Sequence, residues 1–213
     1  MRSALLLFLV MTVGIARIQA AITVSLKTPQ GEAIADGVAS LIPLDRPLTD
    51  SPPPASLSEV VQEKQEFTTY VTVVQAGSRV VFPNHDAVQH HVYSLSKAKK
   101  FEFPLYDPGQ AESVVFDVSG MVTLGCNIHD WMVAYVIVVP TPFFGKTDPS
   151  GRTAITAPSG RYRLEILHPR LSKAVVEDVV VPSSGQMEKT VTLLLKPERK
   201  IRRSIDGKAG GYR

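Results

Sequence analysis

The segment from Gly125 to Met132 carries an uncommon set of donor atoms. It holds Cys126, the chain's only cysteine, with His129 three residues later and Met132 three further on. A thiolate, an imidazole and a thioether select copper in sites built from two histidines, one cysteine and a weakly bound methionine. The second imidazole is available upstream, at His90 or His91. The residue types therefore predict a metal centre assembled from two distant loops.

The lone cysteine itself favours a metal site. One cysteine can form no disulfide within the chain, which leaves intermolecular pairing, a reactive thiol, a metal ligand or an inert buried side chain. His129 and Met132 beside Cys126 favour the metal ligand. A zinc site would prefer a tetrahedral cysteine and histidine set without methionine. Copper is therefore the expected cofactor.

The start of the chain has the pattern of an export signal over residues 1–20. Arg2 precedes an apolar run, and small residues follow at Ala20 and Ala21. The run is too short to span a bilayer, so we expect a periplasmic protein with no stable membrane span, although an uncleaved anchor is the alternative. Removal of residues 1–20 takes away Arg2 and Arg17 and no acids, which lowers the formal charge from +3 to +1.

Charge points to no particular partner for the body of the chain. The basic excess lies in the tail, residues 198–213, and in Lys196 just before it. Such tails are usually solvated, and a docking arm for an acidic partner is the alternative. The sequence lacks the basic face and the interleaved aromatic residues that nucleic-acid binding requires. No phosphate loop or nucleophile elbow is found, so we expect no substrate turnover.

Short runs rich in β-branched residues, separated by Gly, Pro, Asp and Ser, predict an all-β fold. One exception is Leu57–Gln65, where a helical turn or two capped by Ser56 is expected. The predicted strands are Ile22–Leu26, Val38–Ile42, Thr68–Val74, Arg79–Phe82, Val114–Val118, Val122–Leu124, Val133–Val139, Arg161–Ile166, Val175–Val181 and Thr190–Leu195.

Two proline-rich junctions, residues 49–56 and 140–142, divide the chain. The part between them, residues 60–140, contains every candidate ligand and has the size of a small sandwich. The flanks, residues 22–48 plus 143–197, carry a Gly-turn hairpin, Thr147-Asp148-Pro149-Ser150-Gly151-Arg152 and a Gly160-Arg161-Tyr162 strand. This order resembles the carboxypeptidase regulatory-like (transthyretin-like) sandwich, which implies a second, discontinuous β-sandwich. Alternatively, Ile22–Leu44 supplies the first strands of the copper sandwich.

The two donor segments resemble a known family. Cys126-x-x-His129-x-x-Met132, preceded by Asn84-x-Asp86-x-x-x-His90, is similar to the plastocyanin/amicyanin type of cupredoxin, a Greek-key sandwich. The longer pattern around both segments resembles the cupredoxin-like methylamine utilisation proteins. The resemblance implies that His90, Cys126, His129 and Met132 are the ligands of one type 1 copper.

The resemblance also bears on the neighbours of these ligands. His91 stands where plastocyanins have a residue that braces the ligand loops, but the reverse assignment of His90 and His91 stays open. Leu124 stands where many members carry an aromatic residue, which puts an electron route through that position in doubt. Trp131 is either an aromatic lid beside the metal or a packing residue.

Several further residues are expected to have no direct part in the site. His85 and His168 are not assigned to the metal, and Asp130 is expected to be solvated. We expect Phe101, Phe103 and Tyr106 to be core and rim residues. We expect Lys97, Lys99 and Lys100 to lie in a solvated loop, and the alternative is that they steer an acidic partner.

The leading hypothesis is a periplasmic blue copper protein that carries single electrons. The family resemblance implies redox partners such as a quinoprotein dehydrogenase or a c-type cytochrome. The alternatives are a copper-binding envelope protein with a delivery role, or an adhesion or carbohydrate-binding protein whose flanking sandwich carries the function.

Overall fold

The computed structural model describes residues 20–48 and 57–198. Nearly all of the predicted export signal, the proline-rich connection 49–56 and nearly all of the basic tail lie outside these described residues. All regular secondary structure in the described residues is β-strand, which confirms the all-β fold class. None of the described residues forms a helix long and apolar enough to cross a membrane.

The strands are numbered along the chain. They are β1 (Ala20–Lys27), β2 (Val38–Pro43), β3 (Ser58–Glu59), β4 (Gln62–Glu63), β5 (Glu66–Phe67), β6 (Val71–Gln75), β7 (Ser78–Pro83), β8 (His90–Ser96), β9 (Lys99–Tyr106), β10 (Ala111–Phe116), β11 (Gly120–Gly125), β12 (Val133–Val139), β13 (Phe144–Lys146), β14 (Arg152–Ala157), β15 (Gly160–Leu167), β16 (Val175–Val181) and β17 (Gln186–Thr192).

Two sheets enclose the core of the middle segment. A five-stranded sheet has the order β6-β12-β11-β8-β9, and a three-stranded sheet has the order β10-β7-β3. Alternate residues of strands from both sheets, among them Val80, Phe82, Val92, Val122 and Phe116, are fully buried together. This alternation is what a two-sheet sandwich requires, because successive side chains of a strand point to opposite faces.

The flanking segments form two further sheets around a separate core. Their orders are β14-β1-β17 and β13-β2-β15-β16. Ile22, Leu41, Tyr162 and Leu164 are buried at the centre of this second core. Both β1 and β2 therefore pair with strands that follow residue 143, and the alternative in which Ile22–Leu44 completes the copper sandwich is wrong.

A third apolar cluster joins the two cores. Val38 of the flank packs with Val71, Ile137 and Val139, all buried. Beside it, Lys146 Nζ donates to the Val71 carbonyl at 2.8 Å and lies 3.3 Å from an Asp36 carboxylate oxygen. The outer face of the five-stranded sheet is thus covered at its β6-β12 edge rather than left to solvent.

The prediction of a helical turn over Leu57–Gln65 is wrong. This stretch contains β3, β4 and the turn to β5, whose residues Lys64 and Gln65 have φ of 57° and 58°. Both residues are in the left-handed region, which a right-handed helix cannot include. Hydrogen bonds to distant segments, such as Val60 N–H to the Val81 carbonyl at 2.9 Å, decide the local conformation.

Strands β8 and β9 are absent from the sequence prediction. β9 includes Pro104 and two lysines, which argue against a central strand, but β9 lies at the edge of its sheet, where a proline is tolerated. The β8-β9 register is also irregular between His90 and Val92. This irregularity lies at the start of the strand that carries the upstream histidines.

Candidate metal centre

His90, Cys126 and His129 come together at one end of the sandwich. The Sγ atom of Cys126 lies 3.9 Å from Nδ1 of His90 and 3.6 Å from Nδ1 of His129. One donor atom from each of the three residues lies within 4.8 Å of the others. His90 and Cys126 are buried and His129 is half-buried. Among the described residues, this cluster has the donors of a metal site.

The five-stranded sheet holds the loop that carries Cys126 and His129. β11 ends at Gly125 and β12 begins at Val133, and these two residues are paired across the neck of the loop. Within the loop, Met132 N–H donates to the His129 carbonyl at 2.9 Å. His90 begins β8, which pairs with β11 at Tyr93 and Gly125. Both segments that carry the candidate ligands are thus attached to adjacent strands of one sheet.

Asp86 fixes the orientation of the His90 ring. Its Oδ2 lies 2.7 Å from Nε2 of His90, so Nδ1 is the nitrogen that faces Cys126. Burial acts to raise the pKa of Asp86, but hydrogen bonds from the Gln65 backbone, His90 and the Lys64 backbone lower it overall. A carboxylate on the far nitrogen is a common support for a histidine that binds metal.

Asn84 organises the segment between β7 and β8. It is fully buried, its Oδ1 accepts from Asp86 N–H at 3.0 Å, and its Nδ2 donates to the Val88 carbonyl at 2.9 Å and the Tyr106 carbonyl at 3.3 Å. The spacing Asn84-x-Asp86 thus has a local explanation, because the two side chains shape the turn that delivers His90.

His91 points away from the cluster. Its Nε2 lies 2.8 Å from Glu102 on β9, and its ring centroid is 5.7 Å from that of Tyr93. The structure therefore brings His90 to Cys126 and gives His91 partners on the neighbouring strand. Its Nδ1 is buried and has no hydrogen-bond partner among the described residues.

Trp131 lies beside the cluster and also anchors the loop. Its ring centroid is 5.2 Å from that of His129, and its Nε1 donates to the Gln65 carbonyl at 2.8 Å. The two expected roles of Trp131, a contact beside the site and a packing residue, are thus combined. Met132 is 2% exposed and belongs to the same buried cluster as Cys126.

The remaining candidate residues lie outside the cluster. His85 is exposed. His168 is buried in the flanking part, where Nδ1 accepts from Arg170 N–H at 3.0 Å. Lys99 pairs with Asp117 at 3.3 Å, at the end of β9 that is opposite to the His90–Tyr106 pairing. The lysines therefore lie away from the metal centre.

The predicted core residues of β9 pack as expected. Phe101 and Phe103 contact the buried Phe82, with ring centroids 5.7 Å and 5.6 Å away. Tyr106 is buried, and its hydroxyl donates to the Phe82 carbonyl at 3.1 Å and contacts the Gln62 side chain.

Two contacts around the site could not be predicted from the sequence. Gln65 takes part through its backbone N–H and carbonyl, which every residue but proline has. Tyr93 covers Gly125, the residue before the cysteine, from the neighbouring strand. Neither contact could be read from a motif, since each depends on chain segments that are far apart.

Comparison with known proteins assigns the family. No protein-family model matches the chain. Amicyanin-alpha of Methylorubrum extorquens is 33% identical over 88 residues, which cover 40% of this chain and 74% of that relative. This chain is a cupredoxin close to amicyanin.

Solved structures that resemble this cupredoxin include amicyanin and an enzyme. A Cu(I) structure of an amicyanin variant is 21% identical, with a TM-score of 0.37 and coverage of 47% of this chain and 98% of that one. A copper-containing nitrite reductase from Thermus scotoductus is 20% identical, with a TM-score of 0.38 and coverage of 39% of this chain and 22% of that one.

The donor set of this cupredoxin fits copper, the cofactor of the family. A thiol and two imidazole Nδ1 atoms converge, and the far nitrogen of one imidazole is already held by a carboxylate. Thiolate suits Cu(I) and imidazole suits both oxidation states, whereas a hard cation would need oxygen donors.

Proposed function

We propose that this cupredoxin is a periplasmic type 1 (blue) copper protein that carries single electrons between redox partners and turns over no substrate of its own. The convergence of His90, Cys126 and His129 carries the proposal. Bound copper would store the electron by changing between Cu(I) and Cu(II). The proposed ligands are these three residues together with Met132.

The protein's own contribution is a rigid donor set. The Cys126 loop is closed by the β11-β12 pairing, and His90 is held by Asp86. Donors that cannot move far keep a similar arrangement in both oxidation states, so little reorganisation accompanies each transfer. A mobile, exposed set would suit delivery of copper to another protein better. Burial of Cys126 and His90 therefore favours the carrier over the delivery alternative.

Three apolar side chains are exposed near the centre. Ile128 lies between two proposed ligands in the same loop and is 49% exposed, and Val88 precedes His90 and is 39% exposed. Leu105, next to the residue paired with His90, is 49% exposed. Half-buried His129 lies in the same loop as Ile128, so its ring edge is the proposed point of electron exit. A quinoprotein dehydrogenase or a c-type cytochrome is the proposed class of partner, and a place in methylamine utilisation rests on the family resemblance.

We also propose that the chain has two units, a copper domain at residues 60–140 and a discontinuous sandwich formed by residues 22–48 and 143–197. The separate sheets and cores of the two parts support this division. The export signal at residues 1–20 and the basic tail at 198–213 complete the proposed organisation.

The visible spectrum of the copper-loaded protein tests the proposed function. We expect one copper per chain and an intense absorption towards the red end of the spectrum, from charge transfer between thiolate and metal. Cys126→Ser should abolish the band, because the alcohol cannot replace the thiolate. A colourless Cu(II) complex of the parent protein would contradict the carrier.

A further inference from the structure

We propose that the hairpin formed by residues 62–67 is a positioning element of the copper centre, whose tip residue Gln65 ties the two ligand-bearing segments together through its backbone. The proposal rests on the proposed function, in which His90 and His129 bind copper. It assigns a role to a segment that contains no ligand itself.

The hairpin is short and tightly turned. Gln62 pairs with Phe67 and Glu63 with Glu66, so Lys64 and Gln65 form the two-residue turn. Both have φ near +57°, the combination found in type I′ turns, for which Asn-Gly is the preferred sequence. Lys-Gln adopts this turn less readily, because a side chain in the left-handed region is unfavourable. Contacts with the rest of the protein must therefore hold the tip in place.

The N–H of Gln65 supports the first imidazole. It donates to Asp86 Oδ2 at 2.8 Å, and the same oxygen lies 2.7 Å from Nε2 of His90. The Asp86 side chain is only 10% exposed, so little water competes for this oxygen. The backbone of the tip thus holds the carboxylate that in turn orients the His90 ring towards Cys126.

The carbonyl of Gln65 supports the second imidazole. It accepts from Trp131 Nε1 at 2.8 Å, and the Trp131 ring lies against the ring of His129, with centroids 5.2 Å apart and planes inclined by 49°. The two histidine rings are themselves 5.0 Å apart between centroids. One residue therefore reaches both imidazoles, each through a single intermediate side chain.

The base of the hairpin is anchored to the same region. The Gln62 carbonyl accepts from His85 N–H at 2.9 Å, and the fully buried Gln62 side chain contacts the Tyr106 hydroxyl. Phe67 packs into the core that contains Cys126. The hairpin is thus fixed at both ends, so it can hold the segment before His90 and the loop after Cys126 at a constant separation.

Three variants separate this role from ordinary packing. Gln65→Pro removes the N–H and cannot adopt the positive φ. Trp131→Phe removes the indole N–H and keeps an aromatic ring beside His129. Lys64→Asn with Gln65→Gly is the matched control, because it changes both side chains and keeps the type I′ turn and both backbone groups.

The first readout is the rate of copper loss from the loaded protein to an excess of EDTA. Groups that orient metal-binding side chains typically change metal affinity by about 10-fold to 100-fold. We expect both Gln65→Pro and Trp131→Phe to lose copper about 10-fold faster than the parent. The Asn-Gly control should match the parent. A parental rate in either test variant, or a rate in the control as fast as theirs, would overturn the proposal.

The second readout uses the copper-free protein. NMR of the imidazole nitrogens of His90 and His129 should show broadened or averaged signals in both test variants and parental signals in the control. Unchanged signals in the test variants would overturn the proposal. If the parent never develops the thiolate band, the proposed function fails, but these copper-free spectra still decide whether the hairpin orders the two rings.

Discussion

The ring of Tyr93 covers the backbone of Gly125, so closely that a β-carbon at position 125 would lie 3.0 Å from the tyrosine Cζ and 3.1 Å from its hydroxyl oxygen. Gly125 directly precedes Cys126. An aromatic side chain from β8 thus covers the residue before the cysteine, while Leu124 is fully buried in the core.

This contact predicts a coupled effect on stability. Gly125→Ala should destabilise the protein by about 1 kcal/mol, because the tyrosine must move from a well-packed position. In a Tyr93→Ala background the same substitution should cost much less, since the obstructing ring is gone. Urea unfolding of the four proteins of this cycle measures both values. Equal costs in the two backgrounds would show that the tyrosine is not the cause.

Neighbouring histidines should differ sharply in their effect on the copper band. His90→Ala should remove or strongly alter the thiolate absorption, because the Nδ1 that faces Cys126 is lost. His91→Ala should leave the band largely intact, since its partner is the 71% exposed Glu102. Absorption spectra of the two copper-loaded variants provide the measurement. Bleaching by His91→Ala and not by His90→Ala would reverse the ligand assignment.

Replacement of the proposed axial ligand should change the potential more than the colour. Met132→Leu keeps a buried apolar side chain of similar volume, so the fold should tolerate it. Loss of the weak thioether donor should raise the reduction potential, because a missing donor destabilises Cu(II) more than it destabilises Cu(I). Voltammetry and the visible spectrum report the two effects. A lost band would mean that Met132 is more than a weak axial donor.

The buried His168 predicts a pH-dependent contribution to stability. Burial and then the nearby Arg170 guanidinium lower its pKa below the usual 6.5, against smaller opposing effects of Asp36 and a backbone hydrogen bond with Ala35. The folded state therefore binds this proton less readily than the unfolded chain. The stabilisation is fully present above pH 6.5, and it is lost as the pH falls from there towards the folded-state pKa.

His168→Gln should accordingly weaken the loss of stability on acidification. Each pKa unit of difference between the folded and unfolded states corresponds to about 1.4 kcal/mol in the free energy of unfolding. Urea unfolding of the copper-free parent and variant, at pH values above and below the range in which histidine titrates, gives the comparison. The contributions of the other titrating groups are the same in both proteins and cancel in the difference. Identical pH dependence in both would contradict a neutral, buried imidazole.

Local sequence patterns suffice for the strands with the clearest β-branched runs. Val133–Val139 and Val175–Val181 have the predicted bounds. β8 and β9 escape such patterns because histidines, lysines and a proline obscure them, and the pairing of β8 with β11 is a long-range interaction. Leu57–Gln65, which the local sequence predicts as a helical turn, does not form a helix, because Asp86 and Trp131, which are distant in sequence, hold the turn at Gln65.

The chemistry of this cupredoxin follows from its residue types alone: a thiol, imidazoles and a thioether at loop spacings that suit copper. Which histidine meets the thiol depends on the three-dimensional fold. Adjacent residues of a strand point to opposite faces, so the choice between His90 and His91 depends on the register of β8 and its irregularity beyond His90. The hairpin support is likewise invisible in the sequence, since Gln65 acts through backbone groups that carry no mark of residue type.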